Sequence, residues 1–398
     1  MRTRFIDGIA AIAAHEWNTV TGTDYPFIRH EFLLALESSG SVCAKRGWQA
    51  THLLVEGDDG AELIAVLPFY IKTHSFGEYV FDHSWADAYS RHGLNYYPKL
   101  LSAIPFTPAS GPRLCYNEHI VVNRERSAAL MVTVAEALRQ KCAAIGASGW
   151  HVLFPEKTTL PLWRQTETDI RLGCQYHWFN DGYQSFDDFL ATFNARRRKE
   201  LKRERRKVAE QGVRLERLTG AQITDEIWQQ FYRFYQITNL KYNRHGGYLT
   251  PEFFTELHQT MAEQMLLVMV YRADESTGRS ENAIAGALNF FSSDTLYGRY
   301  WGAIDEVEFL HFEACYYQGI EFCIERSLQR FDPGAQGEHK ISRGFRPVLT
   351  YSQHWLANPR FRAAVHDFLA KEGPAIERYR EQACEGLPFK DGGLSPES

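Results

Sequence analysis

A mixed α/β (α+β) protein made of two successive halves of like order is the fold class this sequence predicts. Three observations lead there. Segments of helical, 3.6-residue periodicity alternate with short β-branched and aromatic runs in both halves. Short turns, Asp58-Asp59-Gly60 and Ser292-Ser293-Asp294, join apolar runs into antiparallel pairs. Each half then reads helix, antiparallel strands, helix, strand, although no residue-level repeat accompanies the shared order.

The first half opens with helices at about Ile9–Trp17 and His30–Ser38. A hairpin follows, Thr51–Glu56 and Leu63–Ile71. The stretch Ser75–Pro112, aromatic and rich in Gly and Pro, gives no clear element. A helix over Arg126–Ile145 leads into a buried strand, Trp150–Phe154. Pro155–Gly173, with Pro161 and mixed charge, marks the boundary, so the halves are 1–165 and 166–390. The second half predicts helices at Ser185–Gln211, Asp225–Leu240 and Pro251–Gln264. Strands follow at Leu266–Arg272, Ala283–Phe291 and Thr295–Ala303, then a helix at Leu310–Ser327 and a strand near Arg330–Pro333. A helical segment runs from Asn358 to Cys384, and residues 391–398 read as a disordered tail.

The 398 residues are 44% hydrophobic and 23% charged, an ordinary globular composition. The longest apolar run near the middle, Met265–Tyr271, is far short of the ~20 residues a spanning helix needs. At the N-terminus, Asp7 and His15-Glu16-Trp17 interrupt the apolar stretch, which favours an amphipathic helix over a signal peptide. Seven scattered cysteines without a Cys-x-x-Cys pair indicate neither a disulfide framework nor zinc, and point to free thiols in a reducing cytoplasm. The net charge of −5 conceals an asymmetry: residues 196–207, RRRKELKRERRK, carry +7, so the remainder carries −12.

That basic block falls on a predicted helix, with Ser185 and Asp188 as a capping box and Gly212 as the stop. Leu201 and Val208 form a thin apolar stripe, and Glu200–Arg203 and Glu204–Lys207 are spaced to pair. A charge run is ordinarily a solvated face. Nine cations in twelve residues repel one another unless an anion offsets them, so an RNA, nucleotide or phosphate partner is expected. The strand Thr295–Ala303 would place Tyr297, Arg299 and Trp301 on one face and Gly298 and Gly302 on the other. In the following helix His311 and Gln318 would share a face. Glu338-His339-Lys340 lies in a Gly-rich stretch after a strand. His or Glu there suits a general base, yet strand alternation lets at most two of the three face one site. Asp82-His83-Ser84-Trp85-Ala86-Asp87 has suitable residue types but no metal spacing, so no metal is expected. Gly-x-Ser-x-Gly, Walker A and Rossmann motifs are absent.

Several long stretches are similar to one family. In the first half these are Phe32-Leu33-x-Ala35-Leu36-Glu37-Ser38-Ser39-Gly40-Ser41, Gly47-Trp48, Gly77-Glu78-Tyr79-Val80-Phe81-Asp82, Trp85-Ala86-Asp87-Ala88-Tyr89 and Tyr96-Tyr97-Pro98-Lys99-Leu100. In the second half they are Phe186-Asp187-Asp188-Phe189-Leu190, the Arg/Lys run, Asp294–Gly302, His311-Phe312-Glu313 and Gly334–Lys340. Together they resemble, almost end to end, the bacterial FemAB-like predicted N-acyltransferases. The resemblance implies two tandem GNAT-like domains, each a largely antiparallel sheet flanked by helices. Fem enzymes move an amino acid from aminoacyl-tRNA to the amino group of a peptidoglycan precursor, and GNAT enzymes move an acyl group from acyl-coenzyme A to an amine. The implied activity is N-acyl or aminoacyl transfer by direct attack, without a covalent enzyme intermediate.

Under that resemblance Glu338 or His339 is the expected base. Lys340 and Arg299 would hold an anionic substrate, with Trp301 and His311 beside them. Arg196, Arg198, Lys202 and Arg205 would grip phosphates, and Asp82, Trp85 and Lys99 would shape an acceptor pocket. The co-substrate is acyl-coenzyme A or aminoacyl-tRNA, and the acceptor a small-molecule or peptide amine. No Fem-type coiled-coil arm is evident. No acetyl-coenzyme A pyrophosphate loop precedes the Leu310 helix, where Asp305-Glu306-Val307-Glu308 would repel one. Two rival readings stay open: a non-catalytic binder of RNA or cell-wall precursor, and a plain acyl-coenzyme A acetyltransferase.

Overall fold

The computed structural model describes residues 1–58, 60, 62–117, 120, 123–244, 246–272 and 282–390. In chain order the first half carries β1 (Arg2–Ile6), α1 (Ala14–Thr21), α2 (His30–Ser38), β2 (Trp48–Ala50), β3 (His52–Glu56), β4 (Leu63–Leu67), β5 (Tyr70–Lys72), α3 (His83–Arg91), β6 (Lys99–Ser102), β7 (Cys115–Tyr116), α4 (Arg124–Ile145), β8 (Gly149–Leu153) and α5 (Leu160–Trp163). Then come β9 (Asp169–Phe179), α6 (Phe186–Ala191), α7 (Ala195–Glu210), β10 (Val213–Thr219), α8 (Asp225–Asn243), α9 (Pro251–Met261), β11 (Met265–Arg272), β12 (Asn282–Phe291) and β13 (Thr295–Ala303). A helical run follows as α10 (Leu310–Phe312), a π turn (Glu313–Tyr317) and α11 (Gln318–Arg326). The chain ends with β14 (Arg330–Asp332), β15 (Arg346–Leu356) and α12 (Pro359–Glu385).

The mixed α/β class is as expected, and several boundaries move. The expected hairpin exists as β3 and β4, with Leu53 opposite Leu67. Its second arm stops before Pro68, which has no N–H to give a ladder, and Tyr70–Lys72 joins a different sheet. Part of its turn, Asp59, lies outside the described residues, as does the expected tail 391–398. The expected first helix is instead a 3-10 turn at Ile9–Ala11 followed by α1. The expected helix Ser185–Gln211 is two helices. Between them Phe193 is buried against Phe389, and Asn194 donates from its backbone N to the Pro388 carbonyl (2.8 Å). The Asn194 side chain then accepts from Arg197 N (3.0 Å), a new N-cap that restarts the helix.

The chain divides into two compact units: Met1–Gly173 with Leu349–Arg378, and Cys174–Val348 with the residues from Tyr379. The expected division at 165/166 therefore needs correction. The three crossings fall within strands β9 and β15 and within helix α12, and 349–378 belongs with the first unit because the end of β15 pairs with β8, Ser352 opposite Leu153.

In unit 1 an antiparallel sheet β1-β3-β4-β7 accompanies strands in the order β15-β8-β6-β5-β2, where β6 and β8 run parallel. Helix α4 starts on Asn123, whose side chain accepts from Glu125 N and Arg126 N, and stops at Gly146 in the left-handed region. It buries Leu130, Met131, Val134 and Leu138 against Trp150 and Trp163. In unit 2 the order is β10-β11-β12-β13-β14-β9, with β13 and β14 the parallel pair. Among the described strands, β6–β8 in unit 1 and β13–β14 in unit 2 are parallel pairs whose second strand is entered from a helix.

Helix α8 lies directly on β13. A Cβ at Gly302 would fall 2.2 Å from the Phe234 carbonyl carbon of that helix. Gly302→Ala is expected to lower stability by about 1–3 kcal/mol through overpacking, read from the chemical denaturation midpoint.

Candidate functional site

In unit 2 the parallel pair opens into a wedge. Strands β13 and β14 pair only from Thr295↔Arg330 to Tyr297↔Asp332. Pro333 and Gly334 (φ 96°) then turn β14 away while β13 continues to Ala303. Within the wedge β13 bulges: Leu288 lies opposite Tyr300 and Asn289 opposite Gly298, so Arg299 is the extra residue. A bulge re-aims side chains, so the simple alternation expected for Tyr297, Arg299 and Trp301 is broken at Arg299.

The floor of the wedge is ionic and closed. Arg299 donates to Asp332 Oδ2 (3.0 Å) and to the Gly298 carbonyl (2.7 Å). Asp332 Oδ1 accepts from Gly334 N (2.9 Å) and lies 3.7 Å from His177 Nε2. Burial by itself would raise the Asp332 pKa. The charges of Arg299 and His177 and the hydrogen bonds outweigh it and hold the carboxyl well below the usual range. Burial pushes His177 down to about 4 against the pull of Asp332. Lys340, driven down to about 8 by burial with Asp332 opposing and Arg299 adding to the fall, donates to the Gly334 carbonyl (2.7 Å). Arg299 and Lys340, expected to hold an anionic substrate, are instead buried and paired within the protein. They brace the turn that opens the wedge.

Above this floor sits an aromatic and imidazole rim. Trp301 and His311 meet edge to face at 5.6 Å, His311 and Tyr316 at 5.3 Å, and His311 and His339 at 6.3 Å between ring centroids. The Tyr316 hydroxyl is 2.9 Å from His339 Nε2. Burial lowers His311 to about 4, helped by nearby positive charge, and burial followed by Arg343 and Lys340 lowers His339. Both rings are therefore neutral at pH 7. Tyr316 reaches His339 because the π turn adds a residue to the helix. That insertion also cancels the seven-residue spacing expected for His311 and Gln318.

The Glu338-His339-Lys340 trio fans out. It lies on a 3-10 turn, Glu338–Arg343, rather than a strand, and Glu338 accepts from the Tyr379 hydroxyl (2.6 Å). Of the three, only His339 joins the rim. Sequence reasoning missed Tyr316 and Arg343. Arg343 lies 3.4 Å over the Phe312 ring and bonds the His339 carbonyl (2.8 Å) and Glu204 (2.8 Å).

Helix α7 has two faces. Leu201 and Val208 face the core, as expected. Arg205, expected to grip phosphate, also turns inward: it pairs with Glu313 (2.9 Å) and Glu321 (2.6 Å) and covers Phe186. Arg196 pairs with Glu200 (3.2 Å), and Lys202 with the exposed Asp187 (2.8 Å). The expected pairs 200–203 and 204–207 give way to Glu200 with Arg196 and Arg197, Glu204 with Arg343, and Lys207 with Glu308. The outer face carries Arg198, Lys199, Lys202, Arg203 and Arg206, which with Ala195 line a shallow groove of about 380 Å³.

In unit 1, Asp82, Trp85 and Lys99 are buried. The Lys99 ammonium donates to Ser75 Oγ (2.8 Å), Glu78 Oε2 (2.7 Å) and Asp82 Oδ2. Its donors are thus committed to the chain segment 73–82, a clip rather than the open acceptor pocket expected. Asp82 Oδ2 also accepts from the Tyr96 hydroxyl (2.7 Å), which lies 3.5 Å from His151 Nε2, and His151 contacts His354 (2.9 Å between Nδ1 atoms). Among the described residues no group of His, Cys, Asp and Glu is arranged to hold a metal, and no helix is long and apolar enough to cross a membrane. All seven cysteines are free.

No curated protein is significantly similar to this chain in sequence. Among solved structures, FemX matches with a TM-score of 0.54 at 13% identity, over 92% of this chain and 100% of its own. The C-terminal DUF2156 domain of an Agrobacterium fabrum protein assigned as a lysylphosphatidylglycerol synthetase matches with 0.50 at 9% identity, over 89% and 95%. A tandem GNAT protein from the clavulanic acid pathway matches with 0.43 at 9% identity, over 90% and 99%. The profile of the FemAB-like family, described as peptidoglycan biosynthesis/recognition, matches residues 8–391, and the chain belongs to that family.

Proposed function

We propose that the protein moves an acyl or aminoacyl group from an activated ester or thioester to an amine, with the reaction in the wedge of unit 2. The observation that carries this reading is His339 at the rim: a neutral, solvent-exposed imidazole whose ring lies against His311, Phe312 and Tyr316, beside a fixed ionic floor. With Nε2–H donating to Tyr316 Oη, the His339 Nδ1 lone pair is free to accept a proton. The amine nitrogen attacks the donor carbonyl and loses a proton to His339. The C–N bond forms, the C–O or C–S bond breaks, and the leaving group takes up the proton. No protein nucleophile is required. Trp301 and Phe312 would pack on the apolar part of the acyl group and keep water from competing.

Five cations on the outer face of α7, of which Lys202 and Arg206 are paired with the exposed acids Asp187 and Glu210, favour a polyanionic donor such as charged tRNA over a free acyl-coenzyme A. The same face also supports the rival reading, an RNA-binding protein without catalysis. A donor screen separates the readings: acyl-coenzyme As and charged tRNAs offered with amine acceptors, and acylated amine detected by mass spectrometry. Transfer from charged tRNA is expected, and Arg198→Glu with Arg203→Glu should weaken tRNA binding at least tenfold and flatten its salt dependence. Binding of tRNA with no transfer from any donor would select the rival. Transfer from acyl-coenzyme A alone, insensitive to these substitutions, would select the acetyltransferase.

A further inference from the structure

The segment between β5 and α3 reverses the usual order of burial. Its polar side chains Ser75, Glu78 and Asp82 point inward to Lys99. Its aromatic side chains point outward: Phe76 is 63% exposed, Phe81 58% and Tyr79 38%. Single exposed apolar residues are ordinary, but three within six positions form a patch of the kind that marks an interaction site. The patch is also held in shape. Besides the Lys99 clip, Gly77 (φ 80°) sits against Phe106, whose backbone N donates to the Gly77 carbonyl (3.2 Å), and Arg171 donates to the Phe81 carbonyl (2.6 Å).

Exposed cations run beside it. Lys45 and Arg46 occupy a turn joined to the aromatic segment by the contact of His74 Nε2 with the Arg46 carbonyl (3.0 Å) and by Thr73 N donating to Gly47 (3.4 Å). The acids of the segment are inside and paired with lysine, and Asp87 on α3 is an exposed acid against these two cations. Aromatic rings beside Lys and Arg are the combination that seats a protein in the interfacial layer of an anionic bilayer. Of the polar side chains around the rings, Ser75, Glu78 and Asp82 are turned in, and the exposed ones, Thr73, His83 and Ser84, bring no acid to the patch.

We propose that this segment is a membrane-docking tip, with Phe76, Tyr79 and Phe81 entering the headgroup layer and Lys45 and Arg46 meeting lipid phosphates. The full-length protein should float with vesicles of phosphatidylcholine plus phosphatidylglycerol, and much less with phosphatidylcholine alone. Phe76→Ser with Phe81→Ser should lower partition at least tenfold. Lys45→Gln with Arg46→Gln should abolish the preference for the anionic vesicles. All four positions are exposed, so the Tm of both variants should match the parent, which circular dichroism checks. The proposal is overturned if the parent protein stays off both vesicle types or if the double Phe variant floats as the parent does. It is equally overturned if the aromatic substitutions abolish binding to a soluble oligosaccharide while the parent ignores vesicles.

Discussion

Lys99→Met is expected to cost about 3–5 kcal/mol, because removing one member of a buried ion cluster strands the others. Glu78 and Asp82 are 1% and 5% exposed at their side chains, and both bond Lys99. The other lysine in the cluster, Lys72, is 3.8 Å from Glu78 and sits over Trp48. A methionine fills the volume of the lysine stem, so the loss reports charge and not a cavity. The denaturation midpoint should fall, and hydrogen exchange should place the lost protection in residues 73–82. Adding Asp82→Asn to Lys99→Met should recover much of the loss, since Glu78 then keeps Lys72 as its partner and no uncompensated charge remains. A Lys99→Met protein with an unchanged midpoint would show that the clip contributes nothing.

His339→Ala is expected to lower the turnover of acyl transfer by about 10²–10⁴-fold, the usual contribution of a positioned base, with little change in KM. The pH profile carries a second signature. The His339 pKa lies below the ordinary histidine value, chiefly through burial and then through Arg343 and Lys340. The base form is the neutral ring, so the rate should climb as pH rises through a value below 6.5 and then level off. That acidic limb should disappear in His339→Ala. Glu338→Gln should retain most activity, because the carboxylate is engaged by Tyr379. Equal turnover in the His339→Ala and parent enzymes would remove His339 from the mechanism.

What could be read from residue order was the local part of the architecture. The strand Thr295–Ala303 and the helix His30–Ser38 fall at their expected limits because periodicity and turn residues fix them. Strands β1, β2, β6, β7, β9, β10 and β15 were missed. β1 alternates Arg2 and Arg4 with Thr3 and Phe5, β9 starts inside the segment read as a linker, and β15 begins Arg346-Pro347, which reads as a break. Their strand character comes from partners distant in sequence. The candidate site followed the same rule. His339 and His311 were legible as residue types. Only tertiary structure shows that Arg205, Lys340, Arg299 and Lys99 spend their charges on internal partners, since an Arg that binds Glu313 and one that binds phosphate look alike in sequence.

The course of the chain through its two units bears on how the protein is made. Unit 1 is discontinuous: β8 (Gly149–Leu153) finds its antiparallel neighbour only in Ser352–Leu356. On the ribosome, the amino-terminal half must therefore wait with an unpaired β8 edge while the intervening residues are synthesised and fold as an insert. Exposed strand edges of this kind are templates for association. A gene fragment ending near residue 165 would preserve that waiting state permanently, so a separately expressed first half should aggregate, whereas a permuted chain supplying 349–378 directly after 173 would complete it.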